Sequence, residues 1–116
     1  MPHIVSLGNE LVRINKSTNR IEYSVSGGRT WLTRYSGSYC GEFLDLLFFD
    51  GVLFACSNRG VYASSNKGYT WVAKCTNSIA KTIIELQDGG DEILAITDDG
   101  HLYASRSGGA TWLRRR

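Results

Sequence analysis

The feature that most constrains this chain is an octapeptide that occurs three times in phase: SVSGGRTW at 24–31, SSNKGYTW at 64–71 and SRSGGATW at 105–112. Trp31, Trp71 and Trp112 follow one another at spacings of 40 and 41 residues. A fixed period of that size marks a supersecondary unit that stacks on its own copies. The agreement continues upstream through IEYS at 21–24, VYAS at 61–64 and LYAS at 102–105. Each copy therefore shares a strand as well as a turn.

Short β-prone runs cut by turn residues divide each copy into four strands. The spacing predicts strands at 3–7, 10–15, 20–24 and 30–34 in the first copy, and at 42–49, 52–57, 60–64 and 70–74 in the second. In the third they fall at 81–87 and 92–97 and then in the shared LYAS and box segments, with DGGD at 88–91 and DDGH at 98–101 as turns. Asp50-Gly51 is the residue pair that a tight hairpin favours.

Composition narrows the function classes. Thirteen Lys and Arg stand against 11 Asp and Glu in 116 residues. This near balance gives no electrostatic footprint for nucleic acid or an anionic membrane surface. The one basic cluster, Arg114 to Arg116, reads as a solvated end. The most apolar stretch, 43–49, is interrupted by Asp45 and is too short to span a bilayer. No basic segment followed by an apolar one opens the chain, so a secretion leader is not expected. Cys40, Cys56 and Cys75 are odd in number and lack metal-ligand spacing. They read as reduced, half-buried thiols, which favours the cytoplasm, and no metal or cofactor is expected.

The octapeptides resemble the Asp-box, or bacterial neuraminidase repeat, of sialidase-like β-propellers, whose usual form is S-x-D-x-G-x-T-W. Ser24, Ser64 and Ser105 match its serine, Gly28, Gly68 and Gly109 its glycine, Thr30, Thr70 and Thr111 its threonine, and Trp31, Trp71 and Trp112 its tryptophan. Ser26, Asn66 and Ser107 stand where the Asp would be. Each still offers a short side-chain oxygen to the backbone of the turn, so the boxes read as structural. The resemblance implies an all-β fold, a propeller of three four-stranded antiparallel blades in one domain over 1–116, divided at about 1–40, 41–80 and 81–116.

A blade is apolar on both faces, so a run of three leaves two terminal faces to be covered. Two copies related by a two-fold axis would complete a six-bladed ring. The partner expected is therefore the chain itself, with contacts through residues such as Ile4, Leu11, Ile84, Ile93 and Ile96; further blades of a longer propeller, or an assembly of different size, are the alternative.

Propeller ligands sit on loops at the channel mouth. The segment RYSGSYCG at 34–41 offers Tyr35 and Tyr39 as flat faces for a sugar or another planar ligand, with Arg59 and His101 on neighbouring loops. Asp45 and Glu85 interrupt apolar inner strands at what looks like the aligned position of Ser6, which makes them the candidate catalytic pair. A carboxylate capping backbone N–H groups is the plainer reading. The resemblance would imply sialidase activity only with an arginine triad, a Tyr/Glu nucleophile and an Arg-Ile-Pro signature. The only proline is Pro2, and Arg13, Arg20, Arg34 and Arg59 are scattered. A non-catalytic binding module is the first expectation, and a glycan-directed hydrolase is the alternative. His3 and His101 read as turn or surface residues.

Overall fold

The computed structural model describes residues 4–116. Its strands are β1 (Ile4–Ser6), β2 (Leu11–Asn15), β3 (Arg20–Ser24), β4 (Leu32–Tyr35), β5 (Phe43–Phe49), β6 (Val52–Ser57), β7 (Gly60–Ser64), β8 (Val72–Cys75), β9 (Ile83–Asp88), β10 (Ile93–Thr97), β11 (Leu102–Ser105) and β12 (Leu113–Arg114). They form three four-stranded sheets, β1–β4, β5–β8 and β9–β12, each an antiparallel meander. Asp50 and Gly51 both take positive φ in the β5–β6 hairpin, as a turn that follows strand twist requires.

The fourth strands start later than the repeat predicts, past each tryptophan. The N–H groups of Thr30, Thr70 and Thr111 are taken by side chains within the turn, so they cannot join the ladder. In the third sheet the first strand starts at Ile83, because a 3-10 turn at Ala80–Thr82 takes up the residues before it. His3 lies outside the described residues.

Cross-strand pairs put the three sheets in a common register. Leu11 pairs with Ser24, Leu53 with Ser64 and Ile93 with Ser105. One face of each sheet, here called leading, then carries Val12, Ile14 and Ile21; Phe54, Cys56 and Val61; or Leu94, Ile96 and Leu102. The opposite, trailing face carries Leu11, Arg13 and Glu22; Leu53, Ala55 and Tyr62; or Ile93, Ala95 and Tyr103.

Two cores follow from this register. The leading face of the first sheet packs on the trailing face of the middle one, joining Val12, Ile14 and Ile21 to Leu46, Leu53 and Trp71. The leading face of the middle sheet packs on the trailing face of the third, joining Phe54, Cys56 and Val61 to Ile83, Leu86 and Ile93. The middle sheet is covered on both sides, and every residue of β7 is buried. Among the described residues, nothing covers the leading face of the third sheet or the trailing face of the first. There Leu94, Ile96 and Leu102 are only half-buried. Ile4 is 47% exposed where its counterparts Leu46 and Leu86 are 3% and 1% exposed.

Two expectations are corrected by this register. Ile93 is on the trailing face, 1% exposed in the internal core, and so is not part of an open surface. A one-residue error in alternation moves a side chain to the opposite face, and the apolar run at 93–96 hides the phase. Ser6 pairs with Leu11, which puts it in register with Phe48 and Asp88, not with Asp45 and Glu85. The likeness of the three runs rests on one polar residue among apolar ones, whereas the ladder pairs Asp45 and Glu85 three positions farther along, with Cys56 and Ile96, whose counterpart in the first sheet is Ile14.

Candidate functional site

The three boxes share one hydrogen-bond pattern. The opening serine accepts the glycine N–H: Gly28 to Ser24 Oγ at 2.9 Å, Gly68 to Ser64 Oγ at 2.8 Å and Gly109 to Ser105 Oγ at 2.9 Å. The residue in the Asp place accepts the threonine N–H, through Ser26 Oγ at 3.0 Å, Asn66 Oδ1 at 3.0 Å and Ser107 Oγ at 2.9 Å. Each indole N–H returns to the glycine carbonyl at 2.9–3.1 Å. The signature serine, glycine, threonine and tryptophan groups of each box, with the residue in the Asp place, thus bond inside their own turn.

Tyr35, Tyr39 and Arg59 come together beside Cys40 and Tyr62. Tyr39 is half-exposed and meets Tyr62 edge-on at 5.4 Å between ring centroids. Its carbonyl oxygen accepts from Tyr62 Oη at 3.4 Å and from Arg59 Nη1 at 3.5 Å. The loop is clamped on both sides. Asn19 Nδ2 donates to Gly41 O at 2.9 Å, while Asn19 Oδ1 accepts the Phe43 N–H at 2.8 Å. The hydroxyl of Ser57 also donates to the carbonyl of Cys40. Gly41 sits at φ +78 against Asn58 and Arg59, where a side chain has no room. Tyr35 points inward, edge-on to Phe43 and Trp71. His101 belongs to a different turn, its Nδ1 3.2 Å from Asp99.

Burial sets the protonation state of this cluster. It raises Tyr35 to about 12, with the Cys40 thiol adding to the effect. It raises Cys40 to about 11 against a hydrogen bond from Tyr35 that pulls the other way. Burial also pushes up Cys56 and Tyr62. These groups are protonated at neutral pH, so the thiols are not nucleophiles and the phenols act as donors.

Asp45 and Glu85 occupy equivalent positions, paired with Cys56 and Ile96. Asp45 is fully buried. Its Oδ1 accepts the Leu46 N–H and its Oδ2 the Leu86 N–H, both at 2.9 Å, the second across the junction between sheets. Glu85 is half-buried, and its Oε2 accepts from Gln87 Nε2 at 2.6 Å.

The outer parts of the two junctions differ. Between the first and middle sheets, the Arg34 guanidinium lies between the rings of Tyr23 and Tyr69, 4.1 and 4.3 Å from their centroids, and pairs with Glu10. That hydrogen bond holds the Glu10 carboxyl below its usual range. Between the middle and third sheets the corresponding residues are Ala63, Ala110, Lys74 and Val52. There the junction holds a cleft of about 670 Å³ lined by Phe49, Val52, Phe54, Lys74, Asp88 and Arg106, among others.

No family model and no curated protein matches this sequence. Solved structures do match its fold. An ancestral GH74 enzyme superposes with a TM-score of 0.71 at 15% identity, over 96% of this chain and 17% of its own. YCF48 bound to D1 peptide gives 0.75 at 13% identity, over 97% and 40%. The computationally designed Ika4 protein gives 0.60 at 12% identity, over 87% and 62%. The three sheets are blades of a β-propeller. The chain spans about a sixth of the GH74 enzyme, two fifths of YCF48 and three fifths of Ika4.

Within the propeller blades, sequence reasoning missed Tyr62, Asn19, Asn58 and the Arg34 stack. Asn19 and Asn58 carry a signal, since both lie in the loop between the second and third strands of their blades. Arg34 carries none, because its partners come from two blades.

Proposed function

We propose that this chain is a non-catalytic propeller module that works as a homo-oligomer, two copies closing a six-bladed ring, and that it binds a glycan or another small ligand through the Tyr35–Gly41 loop. The carrying observation is the uncovered leading face of blade 3. It carries Leu94, Ile96 and Leu102 at the places where blades 1 and 2 bury Val12, Ile14 and Ile21 or Phe54, Cys56 and Val61, with Gln87 in the place of Val5 and Leu47, and exposed apolar faces of this kind mark contact sites. Half-exposed Tyr39 beside Arg59 supplies an aromatic plane and a fixed donor, a pairing suited to a hydroxylated ring.

Two observations favour binding over turnover. The oxygens of Asp45 are engaged with backbone N–H groups, and the nearby thiols and phenols are held protonated. The alternative is a glycan-directed hydrolase using Asp45 and Glu85, favoured by the fold likeness to a GH74 enzyme. Light scattering of the purified chain, combined with a glycan array and a hydrolysis screen, tests the reading. A mass of twice 12.9 kDa with binding and no turnover supports it. Turnover that disappears in Glu85→Gln supports the alternative.

A further inference from the structure

The junctions inside the chain prescribe what the open junction lacks. In both, a leading face meets a trailing face. At the second junction the Asp45 carboxylate reaches across to the Leu86 N–H at 2.9 Å. Glu85 holds the place of Asp45 on the open leading face of blade 3. On the open trailing face of blade 1, Ile4 pairs with Arg13 as Leu86 pairs with Ala95, so Ile4 holds the place of Leu86. The box glycines follow the same order. A side chain at Gly68 would touch Ile21 and one at Gly109 would touch Val61, each on the preceding blade, whereas one at Gly28 would meet, among the described residues, only Trp31 and Leu11 of its own blade. The residue matching Ile21 and Val61 on blade 3 is Leu102.

The outer edge repeats as well. The ion pair of Arg34 with Glu10, which helps close the first junction, recurs at the open edge of blade 3 as Arg115 Nη2 to Glu92 Oε1 at 2.6 Å. Blade 1 departs from the pattern at two places. Arg13 and Glu22 stand where the other trailing faces have Ala55 and Tyr62 or Ala95 and Tyr103. These two charges satisfy each other: Arg13 Nε and Nη2 both reach Glu22 Oε1 at 2.8 Å, Asn15 takes the second oxygen, and the guanidinium lies 4.1 Å from the centre of the Trp31 ring. A pair already neutralised can be covered without leaving a lone charge.

Resting on the homo-oligomer reading above, we propose that the leading face of blade 3 docks the trailing face of blade 1 of a second copy. In this junction Leu102 seats against the partner's Gly28 and the Glu85 carboxylate accepts the backbone N–H of the partner's Ile4. Glu85 is then a docking residue, and the occupant is the chain's own first blade.

The test is sedimentation equilibrium of the full chain as wild type, Leu11→Lys, Leu102→Lys and Glu85→Ala, with circular dichroism confirming that each variant folds. Leu11 and Leu102 lie on faces that nothing else in the described chain covers, so the protomer tolerates both changes. The wild type is expected to dimerise. Each Lys variant alone should be monomeric, and an equimolar mixture of the two should recover association, because the Leu11→Lys copy keeps an intact blade 3 and the Leu102→Lys copy an intact blade 1. Glu85→Ala should weaken the dimer about tenfold or more, the range of a lost charge-assisted hydrogen bond. A wild-type dimer unaffected by Leu11→Lys would overturn this docking while leaving homo-oligomerisation standing. A wild type that remains monomeric at all concentrations overturns both.

Discussion

The two internal junctions are built on the same register yet closed in different ways. Between blades 1 and 2, Trp71 packs with Phe43 and Tyr35, and farther out Arg34 fills the diverging wedge between Tyr23 and Tyr69. Between blades 2 and 3, the inner core of Phe54, Val61, Leu86 and Ile93 is as well buried, but the outer wedge has Lys74, Ala63 and Ala110 in the places of Arg34, Tyr23 and Tyr69 and stays open. The difference separates two jobs that propeller contacts usually combine. The inner part of each contact holds the blades together, and the outer part decides whether the gap is sealed or accessible.

The largest test of that division is at the tryptophans. Trp71→Ala should cost about 3–5 kcal/mol, as for other buried aromatic truncations, whereas Trp112→Ala, whose ring is only partly buried, should cost clearly less. Urea denaturation of the two variants side by side checks this, and equal losses would mean that the junctions are equivalent. Next is the wedge itself. Arg34→Ala should cost about 1–2 kcal/mol through the lost stacking and ion pair. Lys74→Ala at the matching position should change stability by less than about 0.5 kcal/mol. If Lys74→Ala costs as much as Arg34→Ala, the second wedge is closed in solution.

A smaller effect concerns pH. Glu10 has its folded-state pKa lowered from 4.5, chiefly by the hydrogen bond from Arg34. Its contribution is therefore complete above the ordinary glutamate range and is lost as pH falls through the depressed folded value. Thermal melts of wild type and Glu10→Gln should differ at pH 7 and converge as the pH is lowered through the depressed folded-state value, and a difference that stays constant on acidification would detach Glu10 from the seal. The second junction has Val52 in this place and so lacks this ion pair.

How much of this was legible follows from the range of each signal. The boxes, the period and the turn residues act within a few residues, so three meanders could be read directly from Trp31, Trp71 and Trp112. The face that Ile93 occupies depends on the phase of an apolar run, and the register of Ser6 on cross-strand pairing that a lone polar residue in such a run does not mark. The Arg34 stack joins residues 23, 34 and 69, so its logic exists only once two blades are side by side. Tyr39 and Arg59 were legible as loop chemistry, but the edge-on packing of Tyr39 with Tyr62 was not.

The leading-to-trailing order of the blades has a consequence for growth. Each blade covers one leading face and presents another, so under the proposed docking, addition would have a polarity and would leave the same kind of surface to be covered again. Nothing in a single contact tells the structure to stop. Termination is a matter of curvature: if the angle per blade divides a full turn evenly the last unit meets the first, and if a substitution opens that angle slightly, the same contacts build an open filament.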